Sequence, residues 1–371
     1  MQRNLRMKFF LALFVVSVSA AAIVGSAAGG YHLLQKVSIP GDGGWDYCTV
    51  DSVGRRLYVS HGTHVVVIDA DSGMLVGKID KTPGVHGIAI ASELGRGFIS
   101  NGRAGTVTIF NLKTLETIGE VEVTGMDPDW ILYDPPTKRI FTFNNDSSNA
   151  TAIDAKEGKV VGTIETGGRA GHAASDGKGN LFLSMRGKSQ EETYKDLTSG
   201  AGNESENKDS LLQIDSQKLT AGKRWPVAPC RDPGTMAMDK KAGRLFLGCR
   251  NRLMVIMDSK DGHVIGTVPI GVPDTTAFDP GTGLAFTANF EGTVTVVHQE
   301  SPNKYSVLET VKTEPQARTM AVDLKTHKIF LPLADMGPPR PIGPNNRPGV
   351  FAPNGRGDLI PGTFRVLIYG M

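Results

Sequence analysis

The chain has 371 residues, 45 of them Gly and 21 Pro, with 40% hydrophobic and 21% charged residues, which suits a packed globular core and excludes a disordered or collagen-like polymer. Its 40 Lys and Arg against 38 Asp and Glu leave a formal charge of +2. No global field therefore draws it to nucleic acid or anionic membrane, and such a partner would need a local patch.

In chain order, Arg3, Arg6 and Lys8 precede an apolar run over 9–24 and small residues over 25–30. This pattern predicts a secretory signal peptide over 1–28, cut after Ala27 or Ala28, with an uncleaved anchor as the alternative. The expected mature chain, 29–371, is exported, periplasmic or secreted, monomeric, and without stable membrane insertion. Three cysteines, Cys48, Cys230 and Cys249, are too few for a disulfide scaffold. In an oxidising compartment Cys230 and Cys249 are the candidate pair, and three buried thiols are the alternative.

From residue 50 onward a motif recurs: a turn rich in Asp, Gly, Lys and Arg, then a short apolar strand around Tyr58, Phe98, Phe141, Phe182, Phe246, Phe286 and Phe330. Successive aromatics are 40, 43, 41, 64, 40 and 44 residues apart. An apolar strand precedes each turn, as in HGIAIA, and one such as HVVVIDA follows, commonly with a fourth such as KVVGTIE. Four short strands per 40 to 45 residues predict a propeller blade, and seven copies predict an all-β, seven-bladed β-propeller of four-stranded antiparallel sheets. The last period, ending in FRVLIYGM, lacks a fourth strand, whereas YHLLQKVSIPG near the start resembles one. The N-terminal strand is therefore expected to complete the last blade. Polar 187–210 and Pro- and Gly-rich 335–362 read as long loops over the same mouth of the channel.

The segments LYVSHGTHVVVIDADSGMLVGKI, GFISNGRAGTVTIFNLKTLETIGEV and RLFLGCRNRLMVIMDSKDGHVIGTV resemble the YVTN-repeat, YncE-like family of exported bacterial seven-bladed propellers. The resemblance spans nearly the whole expected mature chain. It implies a binding role, nucleic acid included, and transfers no catalytic signature.

Superposing the periods places Asp46, His86, Asp129, Gly171, Gly234, Asp274 and Arg318 at one position near the start of each innermost strand. His172, one residue further along, joins this ring if its shorter period slips by one. The ends of the second strands bring His61, Asn101, Asn144 and Asn289 to the same face, with Arg186 and Arg250 one residue beyond two others. Carboxylates, imidazoles, amides and guanidiniums converging on a funnel predict a site for a small ligand or a protein partner. The plain alternative is that these side chains cap strand ends around a hydrated channel.

No contiguous metal motif is present, so no cofactor is firm, although Asp46, His86, Asp129 and Asp274 are candidate ligands for a divalent metal. An enzymatic alternative is a metal-dependent hydrolase of lactonase type using Asp46, Asn144, Asp129 and Asp274, with His86 as base. A second alternative is single-stranded nucleic acid on a lip of Arg186, Lys188, Arg250, Arg252, Arg340 and Arg347, opposed by Glu191, Glu192, Glu204 and Glu206.

Overall fold

The computed structural model describes residues 30–187, 208–341 and 357–371, together with Lys195. The expected signal peptide and most of both long loops lie outside these residues. The described chain forms seven four-stranded antiparallel sheets arranged as the blades of a propeller, with one short 3₁₀ turn at Ser92–Leu94. The innermost strands of blades 1 to 7 are Cys48–Asp51, Val85–Ala91, Pro128–Asp134, Arg169–Ser175, Pro233–Asp239, Pro273–Asp279 and Ala321–Val322.

Closure follows the sequence pattern. Blade 7 takes three strands from the end of the chain, and His32–Ser38 pairs antiparallel with Arg365–Gly370, from His32 opposite Gly370 to Ser38 opposite Arg365. The edge that would otherwise stay open is thereby covered by the other end of the polypeptide.

The seven recurring aromatics hold the ring together. Tyr58 and the six Phe residues are each 2% exposed or less. Each packs with residues of the following blade: Phe98 with Ile131 and Ile140, Phe141 with Leu181 and Leu183, Phe182 with Leu245 and Leu247. Burial of each such ring contributes about 1.5–3 kcal/mol. The basic residue that opens the second strand adds a polar stitch. Arg56 donates to the Leu112 carbonyl, Arg96 to the Ala155 carbonyl and Arg139 to the Ser216 carbonyl, each in the outer turn of the next blade. Within those turns Asp69, Asn111, Asp154, Asp215 and Asp258 accept backbone N–H groups two or three residues ahead, the local reason this position favours Asp or Asn.

Cys230 and Cys249 form a disulfide with their Cα atoms 5.4 Å apart, while Cys48 is a buried free thiol. The bridge ties the loop entering blade 5 to the end of that blade's second strand.

Candidate functional site

Because side chains alternate along a strand, one position per innermost strand faces the channel, and the funnel collects one group per blade. A cavity of about 390 Å³ opens there, lined by Trp45, Asp46, Tyr47, His86, Asp129, Arg169, Arg186, Arg250, Asp274, Phe290 and Arg318 with small residues between.

On blades 1 to 3 a single imidazole sits among carboxylates. His86 Nδ1 lies 2.7 Å from Asp46 Oδ2 and 3.9 Å from Asp129 Oδ1, and its Nε2 lies 3.4 Å from Asp127 Oδ1. Burial alone would lower the His86 pKa, but Asp127 and Asp46 outweigh it and raise it to about 11, so the ring is an imidazolium at neutral pH. Burial first, then the Asp46 charge, raises Asp129 to about 6. Asn145 Nδ2 donates to Asp129 Oδ2 at 2.5 Å, whereas the buried Oδ1 has no hydrogen-bond partner.

On blades 4 to 7 the cations are guanidiniums. Arg250 Nη2 donates to Asp274 Oδ1 at 2.9 Å, and Arg318 Nη1 donates to Asp274 Oδ2. Burial opposes ionisation of Asp274, but Arg318 and Arg250 prevail and lower its pKa to about 2. Both guanidiniums also lie over aromatic faces, Arg318 at 5.4 Å from the Trp45 and Phe290 ring centroids and Arg250 at 5.8 Å from Phe290. Arg186 Nε is 3.5 Å from buried Asp232 Oδ1, and its Nη2 donates to the Gly234 carbonyl. Arg169, partly buried, makes no hydrogen bond or ion pair among the described residues; burial and the neighbouring Arg186 lower its pKa.

Space for Arg250 comes from glycine. Blades 4 and 5 carry Gly171 and Gly234 at the ring position that is Asp, His or Arg elsewhere, and a Cβ on Gly234 would come within 3.0 Å of the Arg250 guanidinium. Arg250, one residue past the second strand of blade 5, occupies the room that Gly234 leaves free.

Of the sequence candidates, Asp46, His86, Asp129, Asp274, Arg186, Arg250 and Arg318 line the cavity. His61, Asn101, Asn144, Asn289 and His172 are buried away from it. The Asn101 amide donates to Thr106 and Thr108, Asn144 to Asn149 and Thr151, and Asn289 to Thr293 and Thr295. These amides pin the hairpin between the second and third strands, the strand-capping role that the ligand expectation set aside. His61 stacks on Phe364 at 4.2 Å, with Nδ1 3.2 Å from His64 Nε2. His172 is 1% exposed, stacked on Trp130 at 3.8 Å between centroids, and neither ring nitrogen has a hydrogen-bond partner. Burial, then Arg186, lowers its pKa to about 3.

The four-residue hydrolase constellation is not assembled, because Asn144 belongs to a hairpin and Asp274 is held by two arginines. The described members of the basic lip all face carboxylates, with Arg252 on Glu291 at 2.6 Å and Arg340 on Asp358 at 3.3 Å besides the pairs above. Lys188, Arg347 and the four opposing glutamates lie outside the described residues.

Sequence reasoning missed Arg169, Phe290 and Asp127. Phe290 had a readable signal: it follows the second strand of blade 6 as Arg250 follows that of blade 5. Asp127 and Arg169 precede or open their innermost strands, where the period alignment is loose.

The fold defines the chain as a seven-bladed β-propeller. It is similar to a chain in a structure titled Kuenenia stuttgartiensis Hydrazine Synthase, at 14% identity and TM-score 0.65, covering 79% of this chain and 94% of that one. It is also similar to a chain in a structure titled Structure of U3-55K, at 8% identity and TM-score 0.69, covering 92% and 98%. At these identities the likeness is one of fold, and with 1760 solved chains matching, the architecture alone selects no activity. No family model matches the chain, and no curated protein does.

Proposed function

We propose that this protein is an exported binding module of the YVTN-repeat, YncE-like type, and that its funnel takes a small organic anion. The observation that carries the reading is the cavity's charge. Arg186, Arg250, Arg318 and the protonated His86 are met by Asp232, Asp274, Asp46 and Asp127, whereas Arg169 lines the same cavity with no ion-pair partner among the described residues. Trp45, Tyr47 and Phe290 add apolar surface to the same wall, the mixture expected where a ligand has a carbon skeleton and an acidic end. A carboxylate reaching Arg169 and Arg186 would be held by charge-assisted hydrogen bonds in a partly desolvated pocket. Export is supported by the basic, apolar and small-residue order of the first 30 residues and by the Cys230–Cys249 disulfide, a bond typical of oxidising compartments.

The test is a melting and calorimetric screen of the purified protein with succinate, citrate, benzoate and inorganic phosphate at low and high salt. At least one carboxylate is expected to raise the melting temperature, with affinity falling about tenfold or more in Arg169→Ala. That variant removes a cation without stranding a paired acid. Binding unchanged in Arg169→Ala, or no shift with any of the four probes, overturns the reading.

A further inference from the structure

We propose that Asp46, His86 and Asp129 form a three-ligand site for a divalent transition-metal ion, with its open coordination position facing the funnel. The three residues come from blades 1, 2 and 3, and each presents one donor atom to a common point: every pair of donors lies within 4.8 Å. The two separations from His86 Nδ1, 2.7 Å and 3.9 Å, bracket the roughly 3.3 Å edge of a tetrahedron with bonds of about 2.0–2.1 Å. One imidazole with two carboxylates suits zinc and its first-row neighbours better than calcium, whose sites are built from oxygen alone.

Two further observations point inward to the same spot. Asp129 Oδ1 is buried and lacks a hydrogen-bond partner among the described residues, while the other oxygen of that carboxylate is oriented by Asn145. Behind the imidazole, Asp127 Oδ1 stands 3.4 Å from Nε2, so a ring coordinating through Nδ1 would keep its remaining proton directed at a carboxylate. Metal-bound histidines almost always have such a partner, which fixes the tautomer and the ring plane. Room for it depends on Gly102, where a Cβ would fall 2.5 Å from both His86 Nε2 and Asp127 Oδ1.

Geometry also reduces the four sequence candidates to three. Asp274 has one oxygen on Arg250 and the other on Arg318, leaving no free side for an ion. Arg318 Nη1 lies 3.9 Å from Asp46 Oδ1, whereas the other oxygen, Oδ2, is the one on His86 Nδ1. An ion here would meet the cavity next to the arginine wall, and an anionic ligand oxygen could complete its coordination. The metal site rests on Asp46, His86 and Asp129 and the anion reading on Arg169 and Arg186, so either can fail alone.

The experiment uses the full mature chain, treated with chelator, dialysed, and titrated with Zn²⁺ and Co²⁺. Expected results are one ion per chain by elemental analysis and a visible Co²⁺ spectrum of four- or five-coordinate type. Affinity should drop at least 100-fold in His86→Ala and in Asp129→Asn, and 10- to 100-fold in Asp127→Asn, which touches no metal. Gly102→Ala should behave like Asp127→Asn, and Gly266→Ala, where a Cβ meets nothing within 4 Å, should bind Zn²⁺ as the unmodified protein does. Thermal melts establish that each variant folds. Should His86→Ala not fold, the Co²⁺ spectrum and Asp127→Asn carry the test. Stoichiometry far below one, or wild-type affinity in folded His86→Ala or Asp127→Asn, overturns the proposal and leaves the cluster as an imidazolium among carboxylates.

Discussion

The two sides of the funnel bury charge by opposite arrangements. Across blades 1 to 3 one imidazolium is shared by Asp46, Asp127 and Asp129, so acid is in excess. Across blades 5 to 7 one carboxylate, Asp274, is shared by Arg250 and Arg318, and Arg186 and Arg169 on blade 4 add to the basic side. The acidic arc takes most of its groups from ring positions, where a short side chain is enough. The basic arc takes Arg186 and Arg250 from second-strand ends, and Arg250 fits because Gly234 leaves its ring position without a side chain. The opening is thus polarised sideways, and a ligand with one anionic end has a preferred orientation in it.

Removing the shared partner of the basic arc should have the largest effect on stability. Asp274→Ala leaves two buried guanidiniums without their carboxylate, and denaturant unfolding is expected to show a loss of about 3–5 kcal/mol. A loss under about 1 kcal/mol would mean that the arginines simply turn to water, and the contrast between the arcs would collapse.

A second probe acts at the boundary between the arcs, where His172 lies under Tyr47 and Trp130 and near Arg186 and Arg250. Its folded pKa of about 3 is below the unfolded value near 6.5, so the unfolded chain takes up the proton first as pH falls. The stability it contributes is complete above pH 6.5 and declines on acidification, by about 2 kcal/mol between pH 7 and pH 5. His172→Phe keeps the stack and removes that component, so unfolding curves of variant and parent should diverge in favour of the variant as pH is lowered. Parallel curves would show that His172 stays hydrated and titrates normally. Asp129, raised to about 6, has the reverse sign: its contribution is lost as pH rises through that value.

The smallest effect sharpens the role of glycine. Gly234→Ala should cost about 1 kcal/mol, since a Cβ 3.0 Å from the Arg250 guanidinium forces a shift of a few tenths of an ångström. Gly266→Ala is the control, because a Cβ there meets nothing within 4 Å. Equal melting temperatures for the two would remove the argument that the ring glycines make room for arginine.

The blades were legible because the residues that repeat are those whose environment repeats: Tyr58, Phe98 and their counterparts occupy the same interblade slot, and Asp69, Asn111 and Asp154 the same turn. Asp46, His86, Asp129, Asp274 and Arg318 were legible for the same reason, since repeat alignment transfers a channel-facing position from blade to blade. Asn101, Asn144 and Asn289 misled because a strand-end amide serves a hairpin as readily as a ligand. Their hydroxyl partners, two residues apart at Thr106 and Thr108 and at Thr293 and Thr295, were the sequence sign of the hairpin role. Which residues share a charge could not be read, because pairs such as Arg186 with Asp232 depend on side-chain reach across blades rather than on period.

The pairing of His32–Ser38 with Arg365–Gly370 has a temporal consequence. A chain emerging from its N-terminus carries the strand His32–Ser38 unpartnered until Arg365–Gly370 has been made, so the circle cannot shut on a product that stops before it. The last sheet is therefore completed only by contact between segments more than 300 residues apart, and the opposed arcs of the funnel face one another across a fixed distance only after that long-range pairing has formed.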